Sequence, residues 1–138
     1  MNRKPKVAFI CTHNSCRSQM AEAISKLYAA DVYDAFSAGT EIKNQINPDA
    51  VRIVKERYGV DMSRNQRPKL LEELSEADIV ITMGCGVACP FLPCKFREDW
   101  GLSDPTGKAE DEFVSTAAAI EAKVKNLICR IKTSEITI

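Results

Sequence analysis

No run in this 138-residue chain approaches the roughly 18–20 consecutive apolar residues of a membrane helix, which excludes a helical span. Neither sign of charge is in excess. The 19 Lys+Arg balance 19 Asp+Glu, so the chain as a whole has no pull on nucleic acid or acidic lipid, and only a local anion site is left open. Repeats, low-complexity tracts and Gly/Ser linkers are missing, and the length fits one domain over 1–138. After the basic start, Val7 to Cys11 is too short for the apolar stretch of a signal peptide, so a cytoplasmic protein is expected. Its six cysteines fall below the roughly 8–10% of a short secreted disulfide scaffold. A domain of this size buries roughly 65–70% of its unfolded surface and needs no covalent staple. In a reducing compartment the cysteines are therefore catalytic, redox-active, metal-binding or core residues.

What is present reads as alternating strands and helices. Val7-Ala8-Phe9-Ile10 is an apolar run of the buried parallel type, and it leads into a polar loop with two cysteines. Met20, Ala23, Ile24, Leu27 and Tyr28 then share one face of a helix. Val32 to Ala38 reads as a second strand closed by Gly39. Asn47-Pro48-Asp49 supplies a cap, a first-turn proline and a first-turn acid to a second helix that ends at Gly59. Pro68 to Glu76 reads as a short helix, Ala77 to Met83 holds a β-branched strand, and 84–108 is irregular, with Cys94 to Arg97 as a candidate short strand. The last helix runs from about Glu110 to Ile131. The pattern predicts an α/β sandwich with a parallel sheet covered on both faces. In such sheets ligands bind beyond the carboxyl ends of the strands, which is where Cys11 and Cys85 fall.

The segment Cys11-Thr12-His13-Asn14-Ser15-Cys16-Arg17-Ser18 carries the most chemistry. A loop between a strand and a helix turns successive N–H groups inward and adds the positive end of the helix, which together cradle an oxyanion. Arg17 offers a planar donor fork to the same anion. Cys11 in that field is favoured as a thiolate nucleophile, and Ser18 is placed to hydrogen-bond it. Cys16 reads as a packed thiol and His13, the only histidine, as a solvated loop residue. An oxyanion attacked by a thiolate expels an oxygen that needs a proton. Asp104 is the expected donor, because Pro105 holds its backbone extended.

Cys85, Cys89 and Cys94 cluster among glycines and prolines, and three readings apply. Zinc would want four ligands, and no histidine follows the cluster. Buried structural thiols fit poorly with so many glycines and prolines. A thiol relay, in which Cys85 attacks an adduct on Cys11 and Cys89 or Cys94 takes over the disulfide, fits best. Cys129 lies out of phase with the apolar stripe of the last helix and reads as a bystander.

Taken together these stretches resemble a thioredoxin-coupled arsenate reductase on the low-molecular-weight protein tyrosine phosphatase fold. Residues 9–22, Phe36-Ser37-Ala38-Gly39-Thr40, Ala77 to Met83, Cys89-Pro90 and Asp99-Trp100-Gly101 through Asp104-Pro105-Thr106-Gly107-Lys108 carry the resemblance. It implies a three-layer sandwich with a four-stranded parallel sheet, and an oxyanion loop of Thr12, His13, Asn14, Ser15, Cys16, Arg17 and Ser18. It implies that Cys11 attacks arsenate, Asp104 protonates the leaving oxygen, Cys85 forms a disulfide with Cys11, and Cys89 then pairs with Cys85. Reduced thioredoxin would open that last disulfide, with no tightly bound cofactor or metal and a monomeric chain. Cys94 stands as a further redox candidate. Some members bind potassium through residues matching Asn14, Glu22 and Ser37, with an aspartate near the position of Pro68. The runner-up is a tyrosine phosphatase using Cys11, Arg17 and Asp104 alone, although Thr106-Gly107 lacks the aromatics that flank a phosphotyrosine ring. A non-catalytic thiol sensor or zinc module is the third reading.

Overall fold

The computed structural model describes residues 4–41, 44–74, 76–84 and 94–136. Four parallel strands, β1 (Lys6–Cys11), β2 (Asp34–Gly39), β3 (Ile79–Thr82) and β4 (Phe96–Asp99), lie in the order β2-β1-β3-β4. Four α-helices accompany them among the described residues: α1 (Arg17–Tyr28), α2 (Pro48–Tyr58), α3 (Met62–Asn65) and α4 (Glu110–Lys132). None of these helices is long and apolar enough to cross a membrane.

β1 is central because its side chains are apolar on both faces. Val7, Phe9 and Cys11 join Ile79 and Ile81 beneath the helices, packed with Met20 and Ile24 of α1, Ile53 of α2 and Phe113 and Ile120 of α4. Ala8 and Ile10 face the other way with Ala38 and Val80, under Leu71, Leu74 and Cys94. The chain moves from β1 to one neighbour, β2, and later to the opposite neighbour, β3. The carboxyl end of β1 therefore lies at a topological switch point, where the crossovers diverge and leave a crevice.

Local signals set most boundaries. Asn47 caps α2 by accepting from the Asp49 and Ala50 amides, Pro48 starts it, and Gly59 ends it in the left-handed region at φ 72°. Glu110, Asp111 and Glu112 in the first turn of α4, and Arg130 and Lys132 in the last, match its dipole. Three expectations need correction. The segment 68–76 holds no α-helix among its described residues but a 3-10 turn at Leu71–Glu73, flanked by extended Leu70 and Leu74. Its backbone is already engaged elsewhere: the Lys69 carbonyl accepts from the Gly39 amide, and the Lys69 amide donates to Asn14 Oδ1. β2 starts at Asp34 rather than Val32, because the Val32 and Tyr33 amides turn back to the Ala29 carbonyl. Leu27 and Tyr28 lie on the periodic face of α1 but are exposed, 46% and 40%. Tyr28 meets Tyr58 edge-on and lies under the Lys125 ammonium.

Phe9 is fully buried and its ring meets Trp100 at 5.4 Å, which ties the central strand to the loop after β4. Phe9→Ala is expected to cost about 3–5 kcal/mol in urea unfolding. It should also red-shift the emission of Trp100, the only tryptophan.

Candidate active site

The loop 12–16 joins β1 to α1, and four of its five peptide carbonyls turn to donors of the surrounding protein. The Thr12 carbonyl accepts from the Glu41 amide at 2.9 Å, the Ser15 carbonyl from the Asn47 amide at 2.7 Å, and the Cys16 carbonyl from the Met20 amide at 2.9 Å. The Asn14 carbonyl accepts from Gln19 Nε2 at 3.0 Å. In a trans peptide the next N–H points opposite to the carbonyl. Outward carbonyls therefore turn the amides toward the crevice, as an oxyanion cradle requires.

Asn14 makes the tight turn. It lies at φ 50°, a left-handed conformation that asparagine tolerates better than most residues. Its buried side chain holds it there: Nδ2 donates to Ser18 Oγ at 2.9 Å, and Oδ1 accepts from Gln19 Nε2 at 2.9 Å and the Lys69 amide at 2.8 Å. Gln66 Nε2 donates to Gln19 Oε1 and its carbonyl, so α1 and the segment after α3 brace the loop from behind. Because Ser18 Oγ accepts from Asn14, its own hydrogen remains to be donated. Gly39, the ladder partner of Cys11, presses against the loop. A Cβ there would stand 2.6 Å from the Thr12 carbonyl oxygen and 3.0 Å from the Asn14 nitrogen.

A cavity of about 400 Å³ opens over this loop. Cys11, Thr12, His13, Ser15, Cys16 and Arg17 line it from one side, and Gly84, Leu102, Ser103, Asp104 and Thr106 from the other. Five of the seven predicted loop residues thus face the cavity, with His13 exposed at its mouth, while Asn14 and Ser18 sit behind as supports.

Arg17 is 4% exposed. Its Nη1 donates to the Met83 carbonyl at 2.9 Å and the Leu102 carbonyl at 2.7 Å. Its Nη2 lies 3.6 Å from Cys11 Sγ and 3.8 Å from Asp104 Oδ2. Nε is buried without a hydrogen-bond partner among the described residues. An orphaned buried donor on a cation is costly, and an oxyanion in the cavity would satisfy it. Asp104 is half-exposed, and its Oδ1 accepts from the Thr106 amide at 3.0 Å, so the turn into Pro105 aims the other oxygen inward.

The other described cysteines have different surroundings. Cys16 is buried against the Met20 sulfur at 3.9 Å. Burial first, and then the Asp104 charge, push its thiol up to about 12. It remains a thiol at neutral pH, as a packed residue would. Cys94 is half-buried with the Arg97 guanidinium 3.7 Å from its sulfur, and Cys129 is exposed on α4. Cys85 and Cys89 lie outside the described residues; Gly84, which precedes Cys85, lines the cavity.

The residues matching a potassium site are otherwise engaged. The buried Glu22 carboxylate accepts from Ser37 Oγ at 2.6 Å and Lys26 Nζ at 2.5 Å, and Lys69 Nζ stands 3.6 Å away. Lys69, next to Pro68, thus brings an ammonium rather than a further carboxylate to Glu22. Sequence reading missed Gln19, Gln66 and Lys69 as supports, and the carbonyls of Met83 and Leu102 as the seat of Arg17. The one available signal was a glutamine directly after the loop, in the first turn of a helix.

A family model for low molecular weight phosphotyrosine protein phosphatase matches residues 6–136. The chain is 46% identical over 138 residues to an arsenate reductase of Halalkalibacterium halodurans, covering 96% of both chains. A solved arsenate reductase in its phosphate-binding state superposes with a TM-score of 0.83 at 36% identity, over 92% of this chain and 98% of that one. A thioredoxin-dependent arsenate reductase of Corynebacterium glutamicum gives 0.77 at 36% identity, over 96% of this chain and 64% of that one.

Two outcomes follow from this geometry. Gly39→Ala pushes a Cβ into loop backbone and is expected to cost about 1–3 kcal/mol in urea unfolding, with a parallel loss of inorganic phosphate binding by calorimetry. The raised Cys16 thiol gives stability that is full below its ordinary 9.0 and is lost as pH rises toward about 12, by up to about 1.4 kcal/mol per pH unit. Cys16→Ala should flatten that slope in unfolding measured above pH 9.0, leaving the shares of Tyr33, whose phenol burial pushes from 10.0 up to about 12, and of Tyr58, which burial also pushes up.

Proposed function

The chain belongs to the low-molecular-weight phosphotyrosine protein phosphatase family, and we propose that within it this protein reduces arsenate to arsenite. The observation that carries this reading is the meeting of Cys11 Sγ, Arg17 Nη2 and Asp104 Oδ2 at one end of the cavity, beside the orphaned Arg17 Nε. A tetrahedral oxyanion lying on the inward amides would meet a sulfur, a cation and a proton donor together. The arsenate reductases that this chain matches nearly end to end favour arsenate as that oxyanion.

The Arg17 charge favours the thiolate of Cys11. That thiolate attacks the arsenic, forming an arsenic–sulfur bond, while Asp104 gives its proton to a departing oxygen that leaves as water. Cys85 then attacks Cys11 Sγ. The new S–S bond forms as the As–S bond breaks, both electrons of that bond stay on arsenic, and As(V) leaves as As(III). Cys89 attacks Cys85 and frees Cys11, and a reduced thioredoxin restores both thiols, taking up the disulfide itself. The roles of Cys85 and Cys89 rest on the sequence resemblance, and thioredoxin on that resemblance and the dependence named for the corynebacterial neighbour. Two-electron reduction by thiols needs a nucleophile and a second thiol to resolve it, and a third carries the oxidation away from the cavity. The whole cycle would run in one catalytic domain over 1–138.

Arsenate-dependent NADPH consumption with thioredoxin and its reductase tests this. Cys11→Ser should abolish turnover, and Asp104→Asn should lower kcat by about 10²–10⁴. Normal turnover by both Cys85→Ser and Cys89→Ser would remove the relay. Hydrolysis of an aryl phosphate with no arsenate reduction would make the chain a phosphatase.

A further inference from the structure

We infer that Asp99, at the end of β4, is a positioning residue for the Arg17 guanidinium, acting through the backbone turn at Met83-Gly84. The inference rests on Arg17 being the oxyanion ligand.

Asp99 and Thr82 are register partners at the ends of β4 and β3. A single oxygen of Asp99, Oδ1, accepts both the Thr82 hydroxyl at 2.7 Å and the Gly84 amide at 2.8 Å. These two donors bracket Met83, and the Gly84 amide bond fixes the peptide plane that carries the Met83 carbonyl. Met83 is fully buried, and its carbonyl receives Arg17 Nη1. Gly84 lies in the left-handed region at φ 84° and packs against the next turn so closely that a Cβ would stand 2.5 Å from the Leu102 nitrogen. The Leu102 carbonyl is the second acceptor of Nη1. The Trp100 amide closes the arrangement by donating to the Thr82 carbonyl at 2.9 Å.

The two carbonyls thus reach the guanidinium from two turns, and Asp99 stands where those turns begin. With Nη1 held by both, Nε and Nη2 are left for the anion and Cys11. Without the carboxylate oxygen, the Gly84 amide and Thr82 hydroxyl lose their shared acceptor, and the Met83 peptide is free to rotate away from Nη1. Asp99 is itself exposed, and water can take over its two donors without restoring the direction of the Met83 carbonyl. The effect should therefore fall on anion affinity rather than on global stability.

The test uses Asp99→Ala, Asp99→Asn and Thr82→Val in the full chain, with inorganic phosphate binding by calorimetry, arsenate turnover and the urea midpoint as readouts. Asp99→Ala should weaken phosphate binding and raise KM for arsenate by about tenfold, the size expected for losing a charged hydrogen bond, with kcat changed less and the urea midpoint close to wild type. Asp99→Asn keeps an oxygen acceptor and should restore most of the affinity, and Thr82→Val, which removes one donor, should fall between. Wild-type affinity in Asp99→Ala, or a loss that only tracks the urea midpoint and that asparagine does not rescue, would overturn the inference. If the wild type and Arg17→Ala bind phosphate alike, the role given to Arg17 fails first and the inference falls with it.

Discussion

A buried guanidinium organises this molecule. Arg17 starts α1, yet its side chain reaches across the end of the sheet to two carbonyls, one after β3 and one after β4. Burying a cation costs several kcal/mol after relaxation, and among the described residues no buried carboxylate pairs with it. Asp104 is half-exposed and 3.8 Å away, a distance and exposure at which an ion pair contributes little. Neutral carbonyls hold the group in place without cancelling its charge. The positive field is therefore left for the sulfur of Cys11 and for an incoming anion, and the turns after β3 and β4 meet on this one group.

The loop facing Arg17 is held by contacts that do not enter the cavity. Asn14 in its left-handed conformation is gripped by Ser18, Gln19 and Lys69, and Gly39 sets how closely β2 lies against Cys11. Gln19 is in turn held by Gln66, and Glu22 by Ser37 and two lysines. The buried side chains of Asn14, Gln19 and Glu22 are each matched by protein partners, which makes the loop stiff before any anion arrives. A stiff cradle loses little free energy to reorganisation when charge develops in it, and such preorganisation is how donor arrays stabilise transition states.

Much of this was legible in the residues. The apolar runs of β1 and β3, the Asn47-Pro48 start of α2 and the periodicity of α4 are local signals, and the structure follows them. The spacing of Cys11 and Arg17 in a strand-to-helix loop pointed to the cavity, and Asp104 before Pro105 to its rim. What escaped was set by contacts between distant segments. Pro68 to Glu76 has a composition that suits a helix, but Gly39 and Asn14 claim the Lys69 backbone from distant parts of the chain. Gln19 and Asp99 look like ordinary polar residues, because nothing near them in sequence says that their partners are Asn14, Thr82 and Gly84. α3 is a single turn capped by Asp61, too short to show a period.

The cysteines show how position rather than residue type decides chemistry. Cys11 and Cys16 stand five residues apart and both line the cavity, yet their surroundings differ, and burial weighs first on Cys16. Cys11 closes β1, where its sulfur has a guanidinium nitrogen at 3.6 Å. Cys16 has turned one residue before the helix, so its sulfur points down α1 toward Met20 and the charge felt most is the carboxylate of Asp104. An anionic sulfur is stabilised in the first place and penalised in the second. In its carboxylate form the same Asp104 proposed as proton donor adds to the burial that keeps the second thiol protonated, so of the two cysteines in one loop Cys11 has the surroundings suited to the proposed nucleophile.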